Sequence, residues 1–209
     1  MNRLRKILGM WVILLCSISS NIALAENYSP TSTKTFQGFT AGGFTFGGDD
    51  LLKVEYTNGD SEELTAGGLL DLKLGLIYNI NDTYSIQSSI GYHFDALLAE
   101  NGDGDFTRIP VELLGFYNYD KHRFGGGLTL HTSPEFEAES DDIGLDENAE
   151  FEDASGLVIE YGYKTSDSAV IALRYVDINY EVTKYNGSSV DSGPDSDGSH
   201  IGLYIYFLF

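Results

Sequence analysis

The chain is 209 residues long and 42% hydrophobic, with 12 Lys+Arg against 32 Asp+Glu and a formal net charge of -20. That length suits one ordinary domain and hardly two. A charge of that sign repels a phosphate backbone, so no nucleic-acid partner is expected.

Arg3, Arg5 and Lys6 precede the apolar run Ile7 to Ile18, and Ala23-Leu24-Ala25 supplies small residues at the two positions a leader protease reads. The pattern predicts a secretory signal peptide over residues 1–25, cut before Glu26. A membrane anchor is the alternative, but an apolar run of 12 residues falls short of the roughly 20 a spanning helix needs. Cys16 is the only cysteine, and Leu15 stands where lipoprotein leaders carry a small residue. Its loss with the leader leaves no disulfide, thiol redox centre or thiolate metal site. The remaining chain keeps 9 Lys+Arg against 32 Asp+Glu, a balance of -23.

After a short polar lead over 26–35, the chain alternates with period two. Asn58-Gly59 is a hairpin signal that folds Phe36 to Thr57 onto Asp60 to Tyr78 and puts Phe44, Phe46, Leu52, Val54 and Tyr56 on one face. Gly47-Gly48 and Gly67-Gly68 then fall nearly opposite each other, as a bend or bulge would require. A nine-strand arrangement that breaks at Gly47 to Asp50 is the alternative. Leu70, Leu72, Leu74, Leu76 and Tyr78 oppose Asp71, Lys73 and Gly75, which no α-helix would do. Tyr84, Ile86, Ile90, Tyr92 and Phe94 repeat the pattern against Ser85, Gln87, Ser89, His93 and Asp95.

Strands centred on Val111, Leu128, Ile159 and Leu173 follow with the same period. Beyond Tyr175 the apolar parity changes to Val176, Ile178 and Tyr180, which points to a bulge or to a strand leaving its apolar surroundings. The last strand, His200 to Phe209, sets Ile201, Leu203, Ile205, Phe207 and Phe209 against Gly202, Tyr204, Tyr206 and Leu208. An exposed edge of that composition would aggregate, whereas a closed barrel satisfies every backbone group. Joins at Asn79–Asp82, Asp120–Lys121 and Lys164–Asp167 are short, and those at 99–105, 133–153 and 181–199 are long. Tyr84, Tyr92, Tyr117, Tyr161, Tyr163 and Tyr175 lie towards strand ends, where an aromatic belt sits. The fold expected is all-β: an eight-stranded antiparallel transmembrane β-barrel, an up-and-down meander over residues 36–209.

The leader, the strands Leu64 to Tyr78 and Tyr84 to Leu97, and the terminal stretch Gly202 to Phe209 together resemble the small eight-stranded outer-membrane barrels, such as the OmpX and OmpA transmembrane-domain families. The resemblance implies residence in the outer membrane of a Gram-negative bacterium and contact with its lipid and lipopolysaccharide as a monomer. It also implies an assembly signal at Tyr204, Phe207 and Phe209, read by the barrel-assembly machinery. The cell-wall role of the OmpA family's periplasmic half is not carried over.

A lipocalin-like barrel or a soluble sandwich also alternates, but it buries the apolar face. On the face opposite the apolar rows lie Asp71, Lys73, Asp95, Arg108, Glu112, Arg123, Glu160 and Arg174. An eight-strand lumen is just wide enough for side chains, so these charges would have to pair across it, Arg108, Arg123 and Arg174 with Glu112, Glu160 and Asp71. That network would seal the axis and leave a non-catalytic role in envelope structure or surface contact. A narrow small-solute channel is an alternative.

Residues 135–153 carry ten acids and no Lys or Arg, a block expected to stay mobile unless cations bridge it. No cofactor is expected, although calcium could be held loosely, with Asp191, Asp195 and Asp197 as candidates. A second alternative is a lipid A acyl hydrolase, because His131-Thr132-Ser133 with Glu147 resembles the His-x-Ser pair and later glutamate of the outer-membrane deacylase family. A base beside a serine activates it, and a carboxylate orients the base. Against this, both His131 and Ser133 have the parity of the lumen face, whereas lipid cleavage needs them turned to the bilayer. His93, His122 and His200 form no recognisable metal set with His131, since no short spacing enforces one.

Overall fold

The structure is a computed structural model that describes residues 35–55, 61–99, 102–140, 145–191 and 193–209. The expected leader over 1–25, the polar lead up to Lys34 and the turn expected at Asn58-Gly59 lie outside the described residues.

In chain order the strands are β1 (Phe36–Gly47), β2 (Asp50–Glu55), β3 (Ser61–Thr65), β4 (Leu69–Asn79), β5 (Tyr84–Ala99), β6 (Gly102–Tyr119), β7 (His122–Ser140), β8 (Leu145–Phe151), β9 (Ala154–Ser166), β10 (Ala169–Asp177), β11 (Asn179–Tyr185), β12 (Ser188–Ser189), β13 (Asp195–Asp197) and β14 (His200–Leu208). Eight of them close a ring in the order β1, β4, β5, β6, β7, β9, β10, β14 and back to β1, every ladder antiparallel. The closing ladder runs from Phe39 opposite Leu208 to Gly47 opposite His200. The fold is therefore an all-β, eight-stranded antiparallel closed barrel with up-and-down topology, and the ring leaves no free strand edge.

The barrel has two storeys. In the lower one, here the belt, the residues facing outward are Leu74, Leu76, Ile90, Val111, Leu113, Leu128, Ile159, Leu173, Leu203 and their neighbours, all exposed. A nine-residue strand such as β10, tilted by about 40°, covers about 23 Å at ~3.3 Å per residue, the height of an apolar band on a membrane barrel. Aromatic pairs rim the end with short turns: Phe36 on Tyr78 at 4.9 Å, Tyr84 on Tyr117 at 5.8 Å and Phe124 on Tyr161 at 5.3 Å between ring centroids. Tyr92 and Tyr175 stand at the opposite rim, also exposed.

In the upper storey, the cap, the long joins are sheet. β5 and β6 pair out to Ala99 opposite Gly102, β7 pairs with β8, and β8 with β11. β2 and β3 form a separate two-stranded hairpin. The acidic block is thus largely hairpin and not an irregular loop, because its acids alternate with apolar residues: Phe136, Ala138, Ala149 and Phe151 turn inward while Glu135, Glu137, Glu139, Asp146 and Glu150 turn out. Leu64, Phe106, Phe136, Phe151, Ile178, Tyr180 and Val182 form one apolar core inside the cap.

In this region the structure selects between two sequence alternatives, a strand leaving its apolar surroundings rather than a bulge, and corrects one expectation. β10 and β11 keep one parity throughout, with Ala172, Arg174, Val176, Ile178 and Tyr180 all buried. The apolar residues change sides because the surroundings change, not because the strand bulges. Leu52 does not share the outward face of Phe44 and Phe46. Gly47 and Gly48 adopt φ of 124° and 84°, conformations open to glycine, and after them Leu52 packs against the cap core. The break at Gly47 adds a hairpin above the ring and no ninth barrel strand.

Candidate functional site

The lumen of the belt is filled by side chains in layers, and the strands position them simply by alternation. At the bottom, Phe39, Ala41, Ile77, Val170 and Ala172 pack with Tyr204 and Tyr206 in a second apolar cluster. Gly43, whose missing side chain leaves room, lies beneath the Tyr204 ring. Both tyrosine hydroxyls point up into the charges: Tyr204 donates to Asp71 Oδ2 at 2.7 Å and Tyr206 to Glu160 Oε2 at 2.6 Å.

The ionic layer is continuous. Lys73 Nζ lies 2.8 Å from Asp71 Oδ2 and 2.9 Å from Glu112 Oε1. Arg174 Nη2 reaches Glu112 Oε2 at 2.7 Å, and its Nε lies 3.9 Å from Glu160 Oε2. Arg123 Nη2 approaches Glu160 Oε1 at 3.7 Å and donates to Gln87 Oε1 at 2.7 Å. Ser89 adds a hydrogen bond to Glu112 Oε2 at 3.1 Å. Charges this deep are tolerated only when paired and hydrogen-bonded, and removing one partner of such a pair costs about 3–5 kcal/mol.

Two members of the inward-facing set stand apart. Asp95 accepts from the Thr65 N–H at 2.9 Å and the Thr65 hydroxyl at 3.2 Å, so it fastens the β2–β3 hairpin to β5. Arg108 pairs with none of the carboxylates expected for it among the described residues. Its Nη2 donates to Gly68 O at 3.2 Å and to His93 Nε2 at 2.9 Å, and its guanidinium carbon lies 4.7 Å from the centre of the Phe106 ring.

Around Arg108 the fold gathers three of the four histidines, a grouping that spacing along the chain did not disclose. His93 on β5, His131 on β7 and His200 on β14 are buried, with ring centroids 5.0 Å (93–200), 6.4 Å (93–131) and 6.5 Å (131–200) apart. Each is anchored separately: His93 Nε2 also faces Thr45 Oγ1 at 2.8 Å, His131 Nδ1 the Tyr180 hydroxyl at 2.6 Å, and His200 Nδ1 donates to Gly198 O at 2.8 Å. The available signal was inward parity on three strands, each at the cap end of its own ladder: His93 opposite Arg108, His131 opposite Pro110 and His200 opposite Gly47.

The hydrolase trio is not assembled. β7 carries a bulge opposite Arg108, where the register moves from Thr107 opposite Glu135 to Ile109 opposite Thr132. Ser133 sits in that bulge at φ 50°, exposed, its N–H donating to Asp153 Oδ1 at 3.0 Å. The expected lumen parity of Ser133 is therefore wrong, because the extra residue turns it to the outer side while His131 stays inside. Glu147 lies further out on β8, opposite Ala138.

The calcium candidates do not converge either. Asp195 and Asp197 are exposed on β13, with Asp197 Oδ1 accepting the Ser199 N–H at 2.8 Å. Among the described residues no group of His, Cys, Asp or Glu is arranged to hold a metal ion. The cap exterior is nonetheless strongly acidic: Asp103 is opposite Glu139, Asp105 opposite Glu137, and Glu135 opposite Glu150. Burial, then the charges of Glu137, Glu135, Asp103 and Glu139, push the Asp105 carboxyl up to about 6. Of the terminal residues expected to signal assembly, Phe207 and Phe209 face outward and Tyr204 faces the lumen.

No family model matches the chain, and no curated protein matches it. Among solved structures it is similar to Neisserial surface protein A, at 13% identity and a TM-score of 0.44 over 84% of this chain and 97% of that one. It is also similar to Ail of Yersinia pestis, in complex with the heparin analogue sucrose octasulfate, at 15% identity and 0.47 over 83% and 99%. The outer membrane protein AlkL in lipid bilayers gives 16% identity and 0.47 over 89% and 97%. These are several small barrels and not the OmpX or OmpA families in particular, and at such scores the closed ring rests on its own ladders.

Proposed function

We propose that the protein is an integral outer-membrane barrel of a Gram-negative envelope, sealed along its axis, whose work is non-catalytic: it holds an acidic, rigid cap at the cell surface. One observation carries this. Along β10 and β11 the outward row reads Ile171, Leu173, Tyr175 and then Asp177, Asn179, Glu181, with no change of sheet or parity. A change of solvent from hydrocarbon to water accounts for that switch, since exposed apolar rows on every strand would make a soluble barrel aggregate.

The ionic layer between two apolar clusters supports a closed lumen over a narrow channel, because Asp71, Lys73, Glu112, Arg123, Glu160 and Arg174 already engage one another across the axis. Envelope lipid and lipopolysaccharide surround the belt in this reading, and outward Phe207 and Phe209 are available to the assembly machinery. The chain without residues 1–25 should fold only in detergent or lipid, run as a compact heat-modifiable monomer, and give no large stable conductance in planar bilayers. A folded, monomeric, freely soluble protein in plain buffer would overturn the membrane assignment, and large stable conductance the sealed lumen.

A further inference from the structure

We infer that the upper lumen binds a small inorganic monoanion of the halide class against the guanidinium of Arg108. Of the four cations inside the belt, Lys73 has Asp71 and Glu112, Arg174 has Glu112 and Glu160, and Arg123 has Glu160. Arg108 is 1% exposed, yet no carboxylate lies within ion-pair distance of it among the described residues. The nearby acid, Asp95, spends its oxygens on Thr65 and on the Ala96 N–H. A guanidinium keeps its charge at any ordinary pH, so burial leaves it in need of a negative partner.

The hydrogen-bond inventory points the same way. Arg108 Nε and Nη1 are buried without an acceptor. Arg108 can only donate, so His93 Nε2 accepts from it, which assigns the ring proton to Nδ1. That Nδ1 is also buried and without a partner. Three nitrogens thus lack an acceptor around a guanidinium whose neighbouring carboxylates are held elsewhere, Asp71 by Lys73 and Tyr204 and Asp95 by Thr65. Water could accept these hydrogen bonds but would bring no charge. Phe106 against the guanidinium, Tyr180 against His131 and the Lys73–Glu112 pair are all buried, so an occupant here must be small and able to shed its hydration shell. A halide meets both conditions, and an organic anion or sulfate does not.

The test uses the full barrel refolded in detergent, with bromide as probe. Its urea midpoint should rise and saturate with sodium bromide against sodium gluconate at equal ionic strength, as for any ligand that binds the folded state alone. Arg108→Met should abolish that rise, and Lys184→Met, which alters an exposed cap residue, should retain it. Crystals grown in bromide should show an anomalous peak beside Arg108 and His93. Should Arg108→Met not fold, the bromide–gluconate difference and the anomalous map of the unaltered protein decide. Equal midpoints in the two salts, or bromide found only at the surface, would overturn the inference.

Discussion

The belt and the cap strands that continue it are one sheet made under opposite rules, with the β2–β3 hairpin set apart. In the belt the outside is leucine, isoleucine and aromatic rings and the inside is Lys73, Glu112, Glu160 and Arg174; in the cap the outside is aspartate and glutamate and the inside is Phe106, Phe136, Phe151 and Ile178. The contrast teaches that period-two alternation defines two faces but not which of them meets solvent. Hydrocarbon outside makes paired charges the interior of choice, while water outside restores an ordinary apolar core. The bulge at Ser133 marks the level where one rule gives way to the other on β7, and Asp153, in the join between β8 and β9, pins it.

The sharpest way to break this comparison is to disturb the belt's interior. Glu112 joins Lys73 to Arg174, so Glu112→Gln leaves two buried cations short of charge and should destabilise the refolded barrel by about 3–5 kcal/mol in urea titrations. Pairing it with Lys73→Met removes one of the stranded cations and should recover part of that loss. Loss under about 1 kcal/mol for the single variant would mean that the ionic layer is wet and does not hold the barrel.

The two exteriors can be compared with one side chain placed in each. Leu203 is exposed in the middle of the β14 belt row and Asn179 is exposed on β11 in the cap. Leu203→Arg should cost about 2–4 kcal/mol in lipid vesicles, the penalty for a cation on the lipid face near the bilayer centre. Asn179→Arg, in water and opposite Asp197, should stay within about 0.5 kcal/mol. Equal effects at the two positions would erase the boundary drawn at Tyr175.

The ring itself was legible because each strand carries an apolar row with the period of a sheet, Leu70 to Tyr78 among them, and no helix would keep those residues on one side. The inward parity of the charged residues followed from the same rows. The cap was harder to read. Counting acids in 135–153 hid the alternation Glu135-Phe136-Glu137-Ala138-Glu139, which states a strand with an apolar inner face. A one-residue bulge leaves no mark on periodicity beyond its own position, so Ser133 was assigned to the wrong face. The histidine layer was illegible for another reason: His93, His131 and His200 come from three strands, and their meeting depends on ladder register and shear, which no local pattern records.

The smallest expected effect lies on the cap's acidic face and concerns pH. Asp105 faces Glu137 directly, with Asp103, Glu135 and Glu139 near, and its carboxyl is raised from the ordinary range to about 6. A raised carboxyl binds its proton more tightly in the folded than in the unfolded chain, so its contribution to stability is full below about pH 4 and is lost as pH rises through 6. Solvent reaches part of the group, which reduces the effect to a local one. Hydrogen-exchange protection of the β6–β7 amides around Asp105 and Glu137, corrected for the intrinsic rate, should therefore fall a few-fold between pH 5 and pH 7, while the belt stays unchanged. Asp105→Asn should flatten the response at the protected level. Protection that rose with pH would reverse the sign and show that the carboxylates across this ladder are bridged by cations and not left to repel each other.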